Sequence, residues 1–221
     1  MNGKLVKCLP LALVLTAVGV HAIAAGQVKQ SGPVLGQTSN DCSMPLPGGG
    51  ARPVIADSMT TLFRNKNGIT AFLSMPTPLT GTYCYPPATL ATNPGAGPAV
   101  PGHPEVYSLW GIYFNNPEGC LPGGCSAADV LGPNCVNAEG GAVNLAGHVS
   151  GGGRLQLSGH LSIGDGPLLG CAPLTDPFGA EVHIAVGPHG MLVPSLMPGQ
   201  INLPPGGGPG YWFPTVFLPA I

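Results

Sequence analysis

The sequence predicts an all-β protein, a single antiparallel β-sandwich with proline- and glycine-rich loops, and three observations predict it. The 221 residues include 36 glycines and 27 prolines, which interrupt nearly every window long enough for three helical turns. Yet 44% of the residues are hydrophobic and only 7% are charged, the reverse of a disordered composition. The apolar residues fall in short runs separated by turn chemistry, as expected for roughly seven to nine strands in two packed sheets.

Residues 1–24 read as a secretory signal peptide. Lys4 and Lys7 form the positive end, Cys8 to Val20 is an apolar run too short to span a bilayer, and Ala22-Ile23-Ala24 offers a small-residue cleavage site. The mature chain then starts at Ala25 and is secreted or periplasmic, with no transmembrane segment after signal removal. Of the seven cysteines one leaves with the signal, so an even set enters an oxidising compartment.

Residues 25–55 carry Pro45, Pro47, Gly48-Gly49-Gly50 and Pro53 and read as an irregular N-terminal arm. The sandwich domain is expected over 56–221. It opens with a hairpin in residues 58–74, where Asn67-Gly68 supplies the strongest short-range turn signal. Residues 85–104 read as a proline-rich insertion. Val106 to Phe114, VYSLWGIYF, is almost wholly apolar and aromatic, so it should be a strand buried on both faces, with Trp110 in the core.

Residues 142–163 read as a second hairpin closed by Gly151-Gly152-Gly153, with Val143, Leu145 and Val149 facing Leu155, Leu157, Leu161 and Ile163. Residues 181–186, EVHIAV, alternate in the same way and turn Val182, Ile184 and Val186 inward. A last strand covers Thr215 to Leu218, after the aromatic pair Tyr211-Trp212.

Six cysteines allow fifteen pairings, and register narrows them. Cys135 and Cys171 lie almost symmetrically about the centre of the second hairpin. Cys42 and Cys84 flank the first, and Cys120 and Cys125 close a local loop through Leu121-Pro122-Gly123-Gly124. The expected bridges are therefore Cys120–Cys125, Cys135–Cys171 and Cys42–Cys84.

Candidate chemistry is sparse. Lys29, Arg52, Arg64, Lys66 and Arg154 are the cations beyond the signal, scattered singly against nine acids, which excludes a nucleic-acid partner. No G-x-S-x-G elbow, phosphate loop, EF-hand or H-E-x-x-H helix occurs. In the inferred hairpin His148 and His160 lie ~14 Å apart on the outer face, too far to share one metal. Asn115, Asn116, Glu118 and Asp129 could offer oxygen ligands to calcium but read better as caps of a strand end and loop. Trp110, Trp212 and the tyrosines could line a groove, with core packing the simpler reading. Glu181 and His183 share the outer face of one strand and His189 follows in a Gly-Pro-His-Gly turn, a set suited to a small binding or metal site.

The segments YSLWGIYFNNPEGC with GGCSAAD after it, AGHVSGGGRLQLSGHLSIGDG and LTDPFGAEVHIAVGPHG resemble those of a group of exported bacterial proteins of unassigned function. That group is in turn similar to chordin-type (CHRD) β domains, superoxide-dismutase-like in outline. The resemblance spans about half of the mature chain and implies an extracytoplasmic β-sandwich; it supplies no catalytic residues. The expected function is a non-catalytic envelope or extracellular module, structural or binding, needing no cofactor. The alternative is a metal-binding protein or metal-dependent enzyme holding copper, zinc or calcium through Glu181, His183 and His189.

Overall fold

A computed structural model describes residues 26–36, 54–79, 95, 100, 102–202 and 213–220. The expected signal peptide, Cys42, Cys84, Trp212 and most of the proline-rich insertion lie outside the described residues. Among the described residues no helix is long and apolar enough to cross a membrane.

Among the described residues nine strands form two antiparallel sheets. The first contains, in spatial order, β1 (Gln27–Leu35), β2 (Val54–Asn65), β3 (Gly68–Pro76) and β6 (Arg154–Ser162). The second contains β7 (Leu169–Gly170), β5 (Gly140–Val149), β4 (Glu105–Phe114), β8 (Glu181–Met191) and β9 (Phe213–Phe217). The single-turn α-helices α1 (Ala128–Leu131), α2 (Cys135–Ala138) and α3 (Gly199–Asn202) sit in the connections. The arm expected to be irregular contributes β1. Pro33 is tolerated there because β1 is an edge strand, as is Pro214 in β9.

The first hairpin forms where the Asn-Gly signal lies. Lys66 and Asn67 make the turn, Asn65 pairs with Gly68, and the Asn65 side chain accepts the Asn67 N–H at 2.7 Å. Gly68 opens β3 at φ 155°, where a Cβ would strike the Leu161 carbonyl of β6. The strand centred on Trp110 is β4, the middle of the second sheet, buried along nearly its whole length.

The second expected hairpin does not exist. β5 pairs with β4, setting Ala142 opposite Ile112 and His148 opposite Tyr107. β6 pairs with β3, setting Leu157 opposite Leu73 and His160 opposite Thr70. Gly151-Gly152-Gly153 therefore carries the chain from one sheet to the other. Alternation specifies which face of a strand is apolar but not which strand lies beside it. Both strands do turn Val143, Leu145, Leu155, Leu157 and Leu161 inward, and they meet face to face across the core instead of edge to edge. Leu145 of β5 packs on Gly159 of β6, where an added Cβ would strike the Leu145 backbone. Val149 falls out of this pattern because a bulge at Leu109/Trp110 shifts the register of β5 on β4. Ile163, expected inward, lies beyond β6 and is exposed.

One cluster, including Leu62, Ile69, Leu73, Leu109, Tyr113, Leu155, Val182, Ile184 and Val186, fills the space between the sheets. At the margin where β1 approaches β9, Thr60 and Thr215 hydroxyls bond at 2.8 Å and Thr215 donates to the Pro33 carbonyl at 2.9 Å. The buried Arg64 of β2 locks the same margin. Its guanidinium donates to Gln30 Oε1 and to the carbonyls of Pro177, Ala180, Phe217 and Leu218 at 2.6–3.3 Å. A buried arginine is stable here because every direction of its planar fork meets an acceptor.

A second cluster, Trp110, Phe114, Val130, Ala138 and Ala142, covers the outer face of the second sheet beneath α1 and α2. Disulfides Cys120–Cys125 and Cys135–Cys171 staple this layer. The longer bridge does not arise from the expected hairpin. β7 anneals to β5, with Gly170 opposite Gly141, and the Cys171 N–H bonds the Gly140 carbonyl, which brings Cys171 beside α2.

Candidate functional site

The outer face of β8 carries Glu181, His183, Ala185, Gly187 and His189, while Val182, Ile184 and Val186 enter the core. Period two dictates this division. The inner residues were apolar in sequence, so the polar and small ones had to face outward. Opposite them on β4 stand Phe114, Ile112, Trp110 and Ser108.

Glu181 and His183 are brought together. Glu181 Oε1 lies 2.6 Å from His183 Nε2, and the two side chains remain 13% and 15% exposed. The Phe114 ring meets the imidazole edge-to-face at 5.2 Å between centroids. His189 does not join them. Six residues along one strand is ~20 Å, and the His189 ring points to another partner. Nor does it lie in a turn: β8 runs on through Gly187-Pro188-His189-Gly190. Pro188 pairs with Tyr107 beside a bulge between Glu105 and Tyr107, and Gly190 adopts φ 82°.

His189 is completely buried, with Nε2 2.5 Å from Ser108 Oγ, which also receives the Trp110 indole N–H at 2.6 Å. Burial pushes the His189 pKa down to about 4. Gln200 of α3 closes this end, donating to the His189 and Met191 carbonyls and accepting the Val193 N–H. A serine–histidine pair of this geometry could in principle activate a hydroxyl, but Ser108 and His189 are sealed from solvent and serve to satisfy one another inside the layer. The pair was missed in sequence because Ser108 lies inside the apolar run and is 81 residues from its partner.

Asn115, Asn116 and Asp129 do not make a calcium loop. Asp129 is fully buried, and its carboxylate accepts the Leu121 N–H, the Ser126 N–H and hydroxyl, and the Asn134 amide at 2.6–2.9 Å. Burial would raise its pKa, but the Leu121, Asn134 and Ser126 donors outweigh it and hold the carboxyl below its usual value. Asn115 and Asn116 bind backbone carbonyls of Glu139, Pro173 and Asn137. His160 bonds Thr70 on the exposed face of the first sheet. Among the described residues no three or more histidine, cysteine or acidic side chains converge as metal ligands.

Beside His183 the outer face opens into an apolar pocket of about 230 Å³. Trp110, Ile112, Ala142 and Ala185 form its floor, α1 supplies Val130 and Leu131, and Val216 of β9 the far wall. The pocket exists because Ala142 and Ala185 interrupt a row of large side chains on the central strands. Leu131 and Val216 stay exposed at its rim. Its polar lining side chains are Ser126 and His183, and the Ser126 hydroxyl is already engaged by Asp129 and the Ala128 N–H. Sequence periodicity could not reveal this site, since its roof is a four-residue helix between glycine-rich loops.

Comparison with protein-family models, curated proteins and solved structures finds no match to this chain.

Proposed function

We propose that this chain is an exported, non-catalytic β-sandwich of the chordin-type outline that works in the envelope or outside the cell as a binding module for a small apolar ligand. The apolar pocket above Trp110, Ala142 and Ala185 carries this reading. Preformed concave sites lined by apolar side chains with one or two polar groups are the usual form of small-molecule sites. The tripartite N-terminal segment and the paired cysteines support export, and the resemblance of three segments to those of exported bacterial proteins supports the sandwich outline. Titrating the mature protein with toluene, followed by amide shifts at Trp110, Ala142 and Ala185, tests it. Saturable shifts that disappear in Ala185→Leu are expected; unchanged spectra at millimolar toluene overturn the reading.

One observation favours a second reading, a metal-binding protein: the partly exposed Glu181–His183 pair. Its proposed third ligand, His189, is committed to Ser108, so such a site would need ligands from elsewhere. Elemental analysis of protein from its native compartment decides it, with stoichiometric copper, zinc or calcium lost in His183→Ala as the supporting result.

A further inference from the structure

We propose that the pocket selects small hydroxylated aromatic ligands of the phenol class, with His183 Nδ1 accepting the ligand hydroxyl; this rests on the binding-module reading above. Size comes first. A dry apolar cavity of about 150 Å³ holds benzene, so 230 Å³ fits one aromatic ring with a substituent. Apart from Ser126 and His183 the lining is apolar, which suits the faces and edges of an aromatic ring.

Polarity then fixes the substituent. Of the two polar lining side chains, Ser126 is spent on Asp129, which leaves His183. Glu181 lies 2.6 Å from Nε2 and, as a carboxylate, can only accept there, so the neutral ring keeps its proton on Nε2. Nδ1 is then a lone pair, and the group it recognises must donate. A hydroxyl donates; a carboxylate does not, and it would also meet the nearby Glu181 charge. A phenol is uncharged at neutral pH, as tyrosine is with its pKa of about 10, so it enters the apolar pocket without a desolvated charge.

The test compares toluene, phenol and benzoate on the mature protein by calorimetry or amide shifts at pH 7.5, with the variants Ala185→Leu and Glu181→Gln. One added hydrogen bond should make phenol about three- to tenfold tighter than toluene, with benzoate weakest. Glu181→Gln can donate to Nε2 and so move the ring proton to Nδ1; the phenol preference should collapse toward one while toluene binding stays. Equal binding of toluene and phenol by the parent protein, or a preference for benzoate, overturns the selectivity and leaves the pocket reading standing. Failure of all three to bind overturns both. Phenol binding that survives Ala185→Leu places its site elsewhere and overturns the inference.

Discussion

Ser108 Oγ and His189 Nε2 lie 2.5 Å apart on adjacent strands, and neither residue has any exposed surface. The pair lies on the outer face of the second sheet, covered from the α3 side by Gln200. Its consequence is thermodynamic. The imidazole must stay neutral to remain buried, because the neutral ring accepts the serine hydroxyl and the charged ring cannot.

Acid should therefore destabilise the fold well before the carboxylates titrate. The unfolded histidine binds a proton near pH 6.5 and the folded one only at about 4. Between these values the unfolded state holds more protons, so stability rises with pH through that window and is lost on acidification. The loss by pH 4 is about 3 kcal/mol, since a tenfold change in proton activity across this window is worth about 1.36 kcal/mol. Urea unfolding at pH 7.5 and 4 should show it, and His189→Gln should remove most of the difference. An unchanged pH dependence in that variant would contradict this assignment.

Asp129 controls the next step down in pH. Its folded pKa is depressed, so its contribution is present above the unfolded value of 3.8 and fades as pH falls through the folded value. Asp129→Ala leaves the Leu121 and Ser126 N–H groups and the Asn134 amide without their acceptor. A cost of about 3 kcal/mol is expected, with faster hydrogen exchange confined to the Cys120–Cys125 loop and α1. Uniform loosening of both sheets would mean that the carboxylate does more than hold this loop.

Arg64 should behave as a latch for the C-terminal strand. Arg64→Leu strands the carbonyls of Pro177, Ala180, Phe217 and Leu218, which belong to the second sheet and its connections, while Arg64 itself belongs to the first. Loss of at least about 3 kcal/mol is expected from the stranded acceptors, with proteolytic release of β9 as the first local event. Arg64→Lys should recover little, because a point ammonium cannot span acceptors on Gln30, the 177–180 segment and β9 together.

How far these features could be read from sequence differs by kind of information. β4 was legible because VYSLWGIYF has no polar face to leave exposed, and β8 because EVHIAV alternates strictly. The Glu181–His183 pairing followed from that alternation alone. What failed was partner choice: Gly151-Gly152-Gly153 allows a hairpin or a crossing between sheets with equal ease. Cys135 and Cys171 are bridged even so, through the two-residue strand β7, which is too short to leave a pattern. Gly-Pro-His-Gly carries every turn signal, yet a bulge threads it into β8 and buries His189. Long-range partners such as Arg64 with Phe217, or Ser108 with His189, are written in no local window.

The crossing of β5 over β6 can be tested through two glycines that meet the same leucine in different ways. A Cβ at Gly111 would approach only the Leu145 side chain, 2.9 Å from Cδ1 and 3.3 Å from Cγ. A Cβ at Gly159 would run into the Leu145 main-chain carbonyl itself. Gly111→Ala should cost about 1–3 kcal/mol by overpacking, and Leu145→Ala should relieve much of it, so the double variant is more stable than the two separate losses predict. Gly159→Ala should cost as much or more and gain little from Leu145→Ala, because removing a side chain leaves the main chain in place. Urea unfolding of the two double-mutant cycles measures both coupling energies. Had β5 and β6 formed one hairpin, Gly159 would lie beside position 145 instead of facing it, and Leu145→Ala would treat both alanines alike. A large coupling for Gly111 with a small one for Gly159 is thus the signature of two sheets meeting across a core at Leu145.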